Sequence, residues 1–149
     1  MLDHLQKKIE ALERFDFKAE ALVAINSGKD KLADLQAEQL AQGLDSNGQK
    51  IGPAYSPFTI AKKKSEGVGL GRVTSVITFF DTGDLYKSLR AEIRSSSFSI
   101  KSNSFKFDKM VKRSGVNTVG LNDESREKFV LGVTRPGVIN AYNRKVKSV

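Results

Sequence analysis

Phe80-Asp81-Thr82-Gly83-Asp84-Leu85-Tyr86-Lys87-Ser88-Leu89 decides how the middle of this chain is read. It follows a β-rich run over residues 73–79 and leads into a second alternating run, Leu89-Arg90-Ala91-Glu92-Ile93. The side-chain oxygens of Asp81 and Thr82 suit the cap of a short helical turn, and Gly83 permits backbone angles that a Cβ resists. Leu85, Tyr86 and Leu89 then supply an apolar face at helical spacing. The stretch predicts a capped turn wedged between strands. That is a scaffold device, with nothing in it arranged for breaking bonds.

Working outward, residues 73–79, 89–95, 97–101 and 116–121 are candidate strands. The hairpin-length gap at Ser95-Ser96-Ser97 favours antiparallel pairing, because parallel strands would need crossover helices for which there is no room. Upstream, Leu2, Leu5, Ile9 and Leu12 recur at helical spacing with charges between them. Asp16 is placed to cap a second, long amphipathic helix reaching Gln42, with Phe17, Ala21, Ile25, Gly28, Leu32 and Leu35 on one stripe. A kink is expected at Asn26-Ser27-Gly28, since an interior glycine costs about 1 kcal/mol relative to alanine. These helices are read as packing on their own sheet, with a face reserved for a partner subunit as the alternative.

Gly43 stands where a glycine commonly ends a helix. Asp45-Ser46-Asn47-Gly48 reads as a tight turn with positive φ at both Asn47 and Gly48. Pro53 and Pro57 keep the next stretch extended, and Ser56-Pro57 opens a short helix that runs into Lys62-Lys63-Lys64. Residues 65–72, with three glycines in five positions, read as a flexible linker. Further helices are expected over residues 105–112, from Asn122 to near Leu131, and from Pro136 through residues 138–147. The whole is expected to be a single α+β domain over residues 1–149. Its parts are a helical amino-terminal part (1–42), a turn and flexible loop (43–72), and a small antiparallel sheet with short carboxy-terminal helices (73–149).

The 149 residues carry 25 basic and 17 acidic groups, a net charge of +8. Residues 1–42 balance to −2 and residues 43–149 to +10, which points the second part towards something acidic, nucleic acid or protein. There is no cysteine, so thiolate metal sites lack their ligands, and for serine catalysis His4 is the one candidate base with no nucleophile-elbow pattern to go with it. No cofactor is expected. No apolar run approaches the roughly 20 residues that span a bilayer, and the first residues do not resemble a secretory signal. A soluble chain made in the cytoplasm, without membrane contact, is expected.

Three chemical readings fail on spacing. A calcium loop opening at Asp45 would need glycine at its sixth position and glutamate at its twelfth, where Lys50 and Ser56 stand. Gly67-Val68-Gly69-Leu70-Gly71 follows a lysine-rich helix end rather than a strand, unlike a dinucleotide-binding loop. Asp81 and Asp84 lie among lysines that would keep both ionised, which removes the pKa separation that an acid–base pair requires. An enzyme is not expected. The cations Lys62, Lys63, Lys64, Arg72, Lys109, Lys112, Arg113, Arg144, Lys145 and Lys147 remain as candidate contacts to an acidic partner or nucleic acid. Phe98, Phe105 and Phe107 could stack bases but read better as core.

Two segments carry a resemblance. Asp45, Gly48, Pro53, Ser56, Thr59 and Lys62–Lys64 fit one segment, and Asp81, Thr82, Gly83, Leu85 and Ser88 fit a second. In that order they resemble the tail-completion and head–tail joining proteins of tailed bacteriophages, over roughly residues 30–94. The resemblance implies a non-enzymatic structural protein of the virion, at the head–tail junction or the proximal tail as a completion, connector or terminator protein. It would be built into a ring with copies of itself and touch neighbouring connector and tail proteins, with transient contact to packaged DNA. The acidic and basic parts of the chain would suit a head-to-tail contact between copies. The alternative is a sequence-nonspecific nucleic-acid-binding module that uses the basic carboxy-terminal part.

Overall fold

A computed structural model describes residues 2–148. It is an α+β fold of eight α-helices and one antiparallel strand pair among the described residues. In chain order the elements are α1 (Leu2–Glu13), α2 (Phe17–Ser27), α3 (Lys29–Ala41), α4 (Pro57–Glu66), α5 (Asp84–Ser88), β1 (Arg90–Ile93), β2 (Phe98–Lys101), α6 (Phe105–Ser114), α7 (Asp123–Phe129) and α8 (Arg135–Val146). They gather into two compact units. One is Lys29–Glu127; the other combines the amino-terminal stretch through Gly28 with the carboxy-terminal stretch from Lys128.

In the Lys29–Glu127 unit, α3 lies on the β1–β2 pair. Leu32, Leu35 and Leu40 are almost completely buried on the helix, and Ala91 and Ile100, directly opposed across the strands, are buried on the sheet. The pairing Arg90↔Lys101 through Ile93↔Phe98 closes through Arg94 and Ser97, so the turn falls at Ser95-Ser96. In the other unit, α1 and α2 pack on α8. Phe15, Ala141 and Val146 form its core, edged by Ala11, Val138 and Tyr142. Asp16 caps α2 by accepting from Ala19 N at 3.0 Å.

The expected helix over 17–42 is two helices, because the chain breaks at Gly28 and not merely bends there. A Cβ on Gly28 would collide with the Val133 side chain. The expected charge asymmetry also disappears in three dimensions. The unit built from the two chain ends holds nine basic and five acidic residues, and Lys29–Glu127 holds sixteen and twelve, so each carries +4. Helices α1 and α2, with four acidic and three basic residues between them, pack on the basic α8, and Lys145 pairs with Glu20. The contrast between an acidic first part and a basic remainder is therefore not a contrast between the two units.

Two expected strands do not form. Residues 73–79 are irregular, with backbone groups held by tyrosine hydroxyls as described below. Residues 116–121 begin as a 3-10 turn, Val116–Thr118, then bend through Gly120 at φ +118°, outside the sheet. Two nearly inaccessible glutamines of α3 take the place of a neighbouring strand. Gln36 accepts from Gly120 N (2.7 Å) and donates to Thr118 O (3.4 Å); Gln39 accepts from Asn122 N (2.8 Å) and donates to Gly120 O (2.8 Å). The expected linker at 65–72 contains the 3-10 turn Gly69–Arg72, with Gly71 buried. The helix from Asn122 does not end near Leu131 but passes through a π-helical turn, Val130–Thr134, into α8. In the 45–48 turn only Gly48 has positive φ.

Candidate functional site

A cleft of about 900 Å³ lies in the Lys29–Glu127 unit. Its walls are α4, the 3-10 turn at 69–72 and the loop at 79–82. Helix α4 begins as its sequence dictates: Ser56 Oγ accepts from Thr59 N (3.2 Å), and Pro57, which lacks an N–H, occupies the first turn. One turn later Lys63 reaches inward. Its Nζ donates to Phe80 O (2.8 Å) and Gly71 O (3.2 Å) and lies 4.9 Å from the centre of the Tyr55 ring. One ammonium thus ties the helix to both other walls.

Tyr55 is the hub beneath this cleft. It is buried, and its hydroxyl oxygen accepts from Thr78 N (3.1 Å) and Phe79 N (3.2 Å). Phe79 is the one non-glycine residue with positive φ among those described, at +53°. Tyr86 donates to Thr78 O (2.7 Å) and sets its ring edge-on to Phe80 at 5.3 Å. Burial pushes the Tyr86 phenol well above its ordinary pKa, and the neighbouring Tyr55 adds to the rise.

Of the second motif segment, Asp81 and Thr82 line the cleft, in a different way from that expected. The cap of α5 is Gly83 at φ +87°, with no side-chain cap bond, so Asp81 and Thr82 do not cap the helix. Thr82 instead donates to Asp84. Lys106 Nζ approaches Asp81 (3.2 Å), Thr82 Oγ1 (3.5 Å) and Asp84 (4.0 Å). Leu85 is buried, and Ser88 Oγ donates to Leu85 O (2.7 Å) while lying 2.6 Å from Ser102 Oγ.

The first motif segment divides. Thr59 and Lys62 line the cleft. Asp45 and Gly48 lie in a separate turn, where the Asp45 carboxylate accepts from Asn47 N and Gln49 N, both at 2.9 Å. Pro53 follows a cis peptide bond, and its carbonyl accepts from Arg113 (3.2 Å), as does that of Ala54 (3.1 Å). The cations also divide. Lys63, Arg113 and Arg72, whose Nε donates to Gly67 O at 2.5 Å, are committed to their own backbone. The side chains of Lys62, Lys64 and Lys112 are exposed and make no hydrogen bond or ion pair among the described residues. Phe105 is exposed beneath Lys109 (4.9 Å), whereas Phe98 and Phe107 are half-buried.

Outside the cleft, α1 turns its whole apolar stripe to solvent. Leu2, Leu5, Ile9 and Leu12 are 82, 53, 56 and 44% exposed. The helix is held instead by Ala11, which packs on the core around Phe15. Among the described residues no group of three His, Asp or Glu side chains is placed to hold a metal ion, and no helix is long and apolar enough to cross a membrane. Sequence reading passed over Tyr55, Gln36 and Gln39. Each acts through partners more than twenty residues away, so no local pattern marks it. Set against known protein families, curated proteins and solved structures, the chain matches none.

Proposed function

We propose that this chain is a structural virion protein of a tailed bacteriophage, acting at the head–tail junction or proximal tail as one copy in a ring. The exposed stripe of α1 carries the reading. Four large aliphatic side chains on one face of a helix, each 44% exposed or more, form the kind of contiguous apolar surface that marks an interaction site. A heterologous ring gives every copy two different contact faces, and such a stripe supplies one of them. In the Asp81–Ser88 segment, whose likeness to head–tail joining proteins suggested this placement, the exposed Asp81, Thr82 and Asp84 are tied together by Lys106, as in a scaffold element. On this reading the protein turns over no substrate and has as partners its own copies, neighbouring connector and tail proteins and, in passing, packaged DNA.

The alternative, a nucleic-acid-binding module, is weakened by the commitment of Lys63, Arg72 and Arg113 to backbone carbonyls. Size-exclusion chromatography with light scattering, followed by electron microscopy of the largest species, tests the choice. A discrete oligomer with ring-shaped particles is expected. A strict monomer with strong, steeply salt-dependent DNA affinity would reverse the assignment.

A further inference from the structure

We infer that the cleft between α4 and the 79–82 loop is the docking groove for helix α1 of a second copy. This rests on the assembly reading and names its two faces. The stripe Leu2, Leu5, Ile9 and Leu12 has the i, i+3, i+7, i+10 spacing with which an amphipathic helix lays anchors into a groove. At 1.5 Å per residue it runs about 15 Å. The cleft presents matching apolar surface, including Phe58 (79% exposed) and Val68 (76% exposed), with Leu70 and Phe80 deeper in. Isolated monomers rarely leave two such apolar features open on one chain.

Charge fits as well. Around the α1 axis, at about 100° per residue, Glu13 stands on one flank of the stripe and Lys8 on the other. In one of the two directions the incoming helix can lie, Glu13 faces Lys62 on the helical wall, which also carries Glu66, and Lys8 faces Asp81, itself paired with Lys106, on the opposing loop. Lys62 has no partner of its own among the described residues, which leaves it available to Glu13 of the incoming helix. Stripe and groove are different surfaces, so the contact is head-to-tail and each copy retains one unused face until the ring closes.

The test uses the full chain with one face blocked at a time. Ile9→Asp spoils the stripe and leaves the groove; Phe58→Asp spoils the groove and leaves the stripe. Both positions are solvent-exposed, so both variants should keep the wild-type circular dichroism and melting temperature. Each variant alone is expected to be monomeric by light scattering, and an equimolar mixture is expected to form a heterodimer and nothing larger. That heterodimer also demonstrates that both chains are folded. Adding Glu13→Lys to the stripe donor, or Lys62→Glu to the groove donor, should weaken the heterodimer about 2–5-fold, and the two together should restore it.

A mixture that stays monomeric, or a Phe58→Asp protein that assembles like wild type, overturns the inference. If wild type forms rings and both variants do too, assembly survives and only this pairing falls. If wild type never assembles, both fall.

Discussion

At the scale of single residues, two tyrosines decide the course of residues 74–82. Tyr55 accepts two successive backbone N–H groups, and Tyr86 donates to the carbonyl of the first residue in that pair. A buried backbone group without a partner costs about 1–3 kcal/mol. Two hydroxyls that satisfy three such groups can therefore hold Phe79 in the left-handed region despite its Cβ. Tyr86 also gives the protein a pH dependence of defined sign. Its phenol is held protonated in the fold, so above the ordinary tyrosine pKa of about 10 the unfolded chain releases a proton that the folded chain keeps. The unfolded state then binds fewer protons, and stability must fall as pH rises. Urea midpoints measured from pH 8 to 11 should decline beyond pH 10. The decline should be shallower in Tyr86→Phe, although that variant starts from lower stability because it lacks the bond to Thr78 O. Equal declines in the two proteins would mean that the folded phenol titrates normally.

At the scale of elements, Gln36 and Gln39 explain why a β-like sequence did not become a strand. Both lie on α3 more than 80 residues before the stretch they hold, and together they occupy four of its backbone groups. Gln39→Leu keeps much of the side-chain volume but leaves Asn122 N and Gly120 O without partners. It should cost about 2–4 kcal/mol in chemical denaturation and speed hydrogen exchange at the Asn122 amide. A loss under about 1 kcal/mol would show that solvent reaches these groups. The same contrast separates what could be read in the sequence from what could not. Helix α2 was legible because its cap Asp16 is adjacent to it, as Ser56 and Pro57 are to α4. The β1–β2 hairpin was legible because its turn is local. The runs at 73–79 and 116–121 have the side chains of strands, but strand formation depends on who supplies the hydrogen bonds, and here distant tyrosines and glutamines do. For the candidate site, Lys62, Asp81 and Thr82 were visible as residue types. Their gathering around Tyr55 was not, nor was the withdrawal of Lys63, Arg72 and Arg113 into backbone contacts.

At the scale of the whole molecule, the basic excess measures association with acidic partners only where the cations are free. Each neutralised phosphate adds about 0.9 to the slope of log affinity against log salt. Among the cations Lys62, Lys63, Lys64, Arg72, Lys112 and Arg113, three (Lys62, Lys64 and Lys112) are exposed without partners among the described residues, and the other three already donate to carbonyls. If the protein touches duplex DNA through this set, replacing Lys62, Lys64 and Lys112 by alanine should flatten the salt slope by about 3. Replacing Lys63, Arg72 and Arg113 should change it by less than 1 while lowering thermal stability, because those side chains hold the cleft together. Fluorescence anisotropy with a labelled duplex, titrated between 50 and 300 mM salt, gives both numbers. Equal changes from the two triples would mean that the backbone contacts yield to phosphate and that the basic surface is a nucleic-acid interface. A flattened slope from the first triple alone would limit DNA to a passing contact at those exposed lysines, as the proposed assembly role allows.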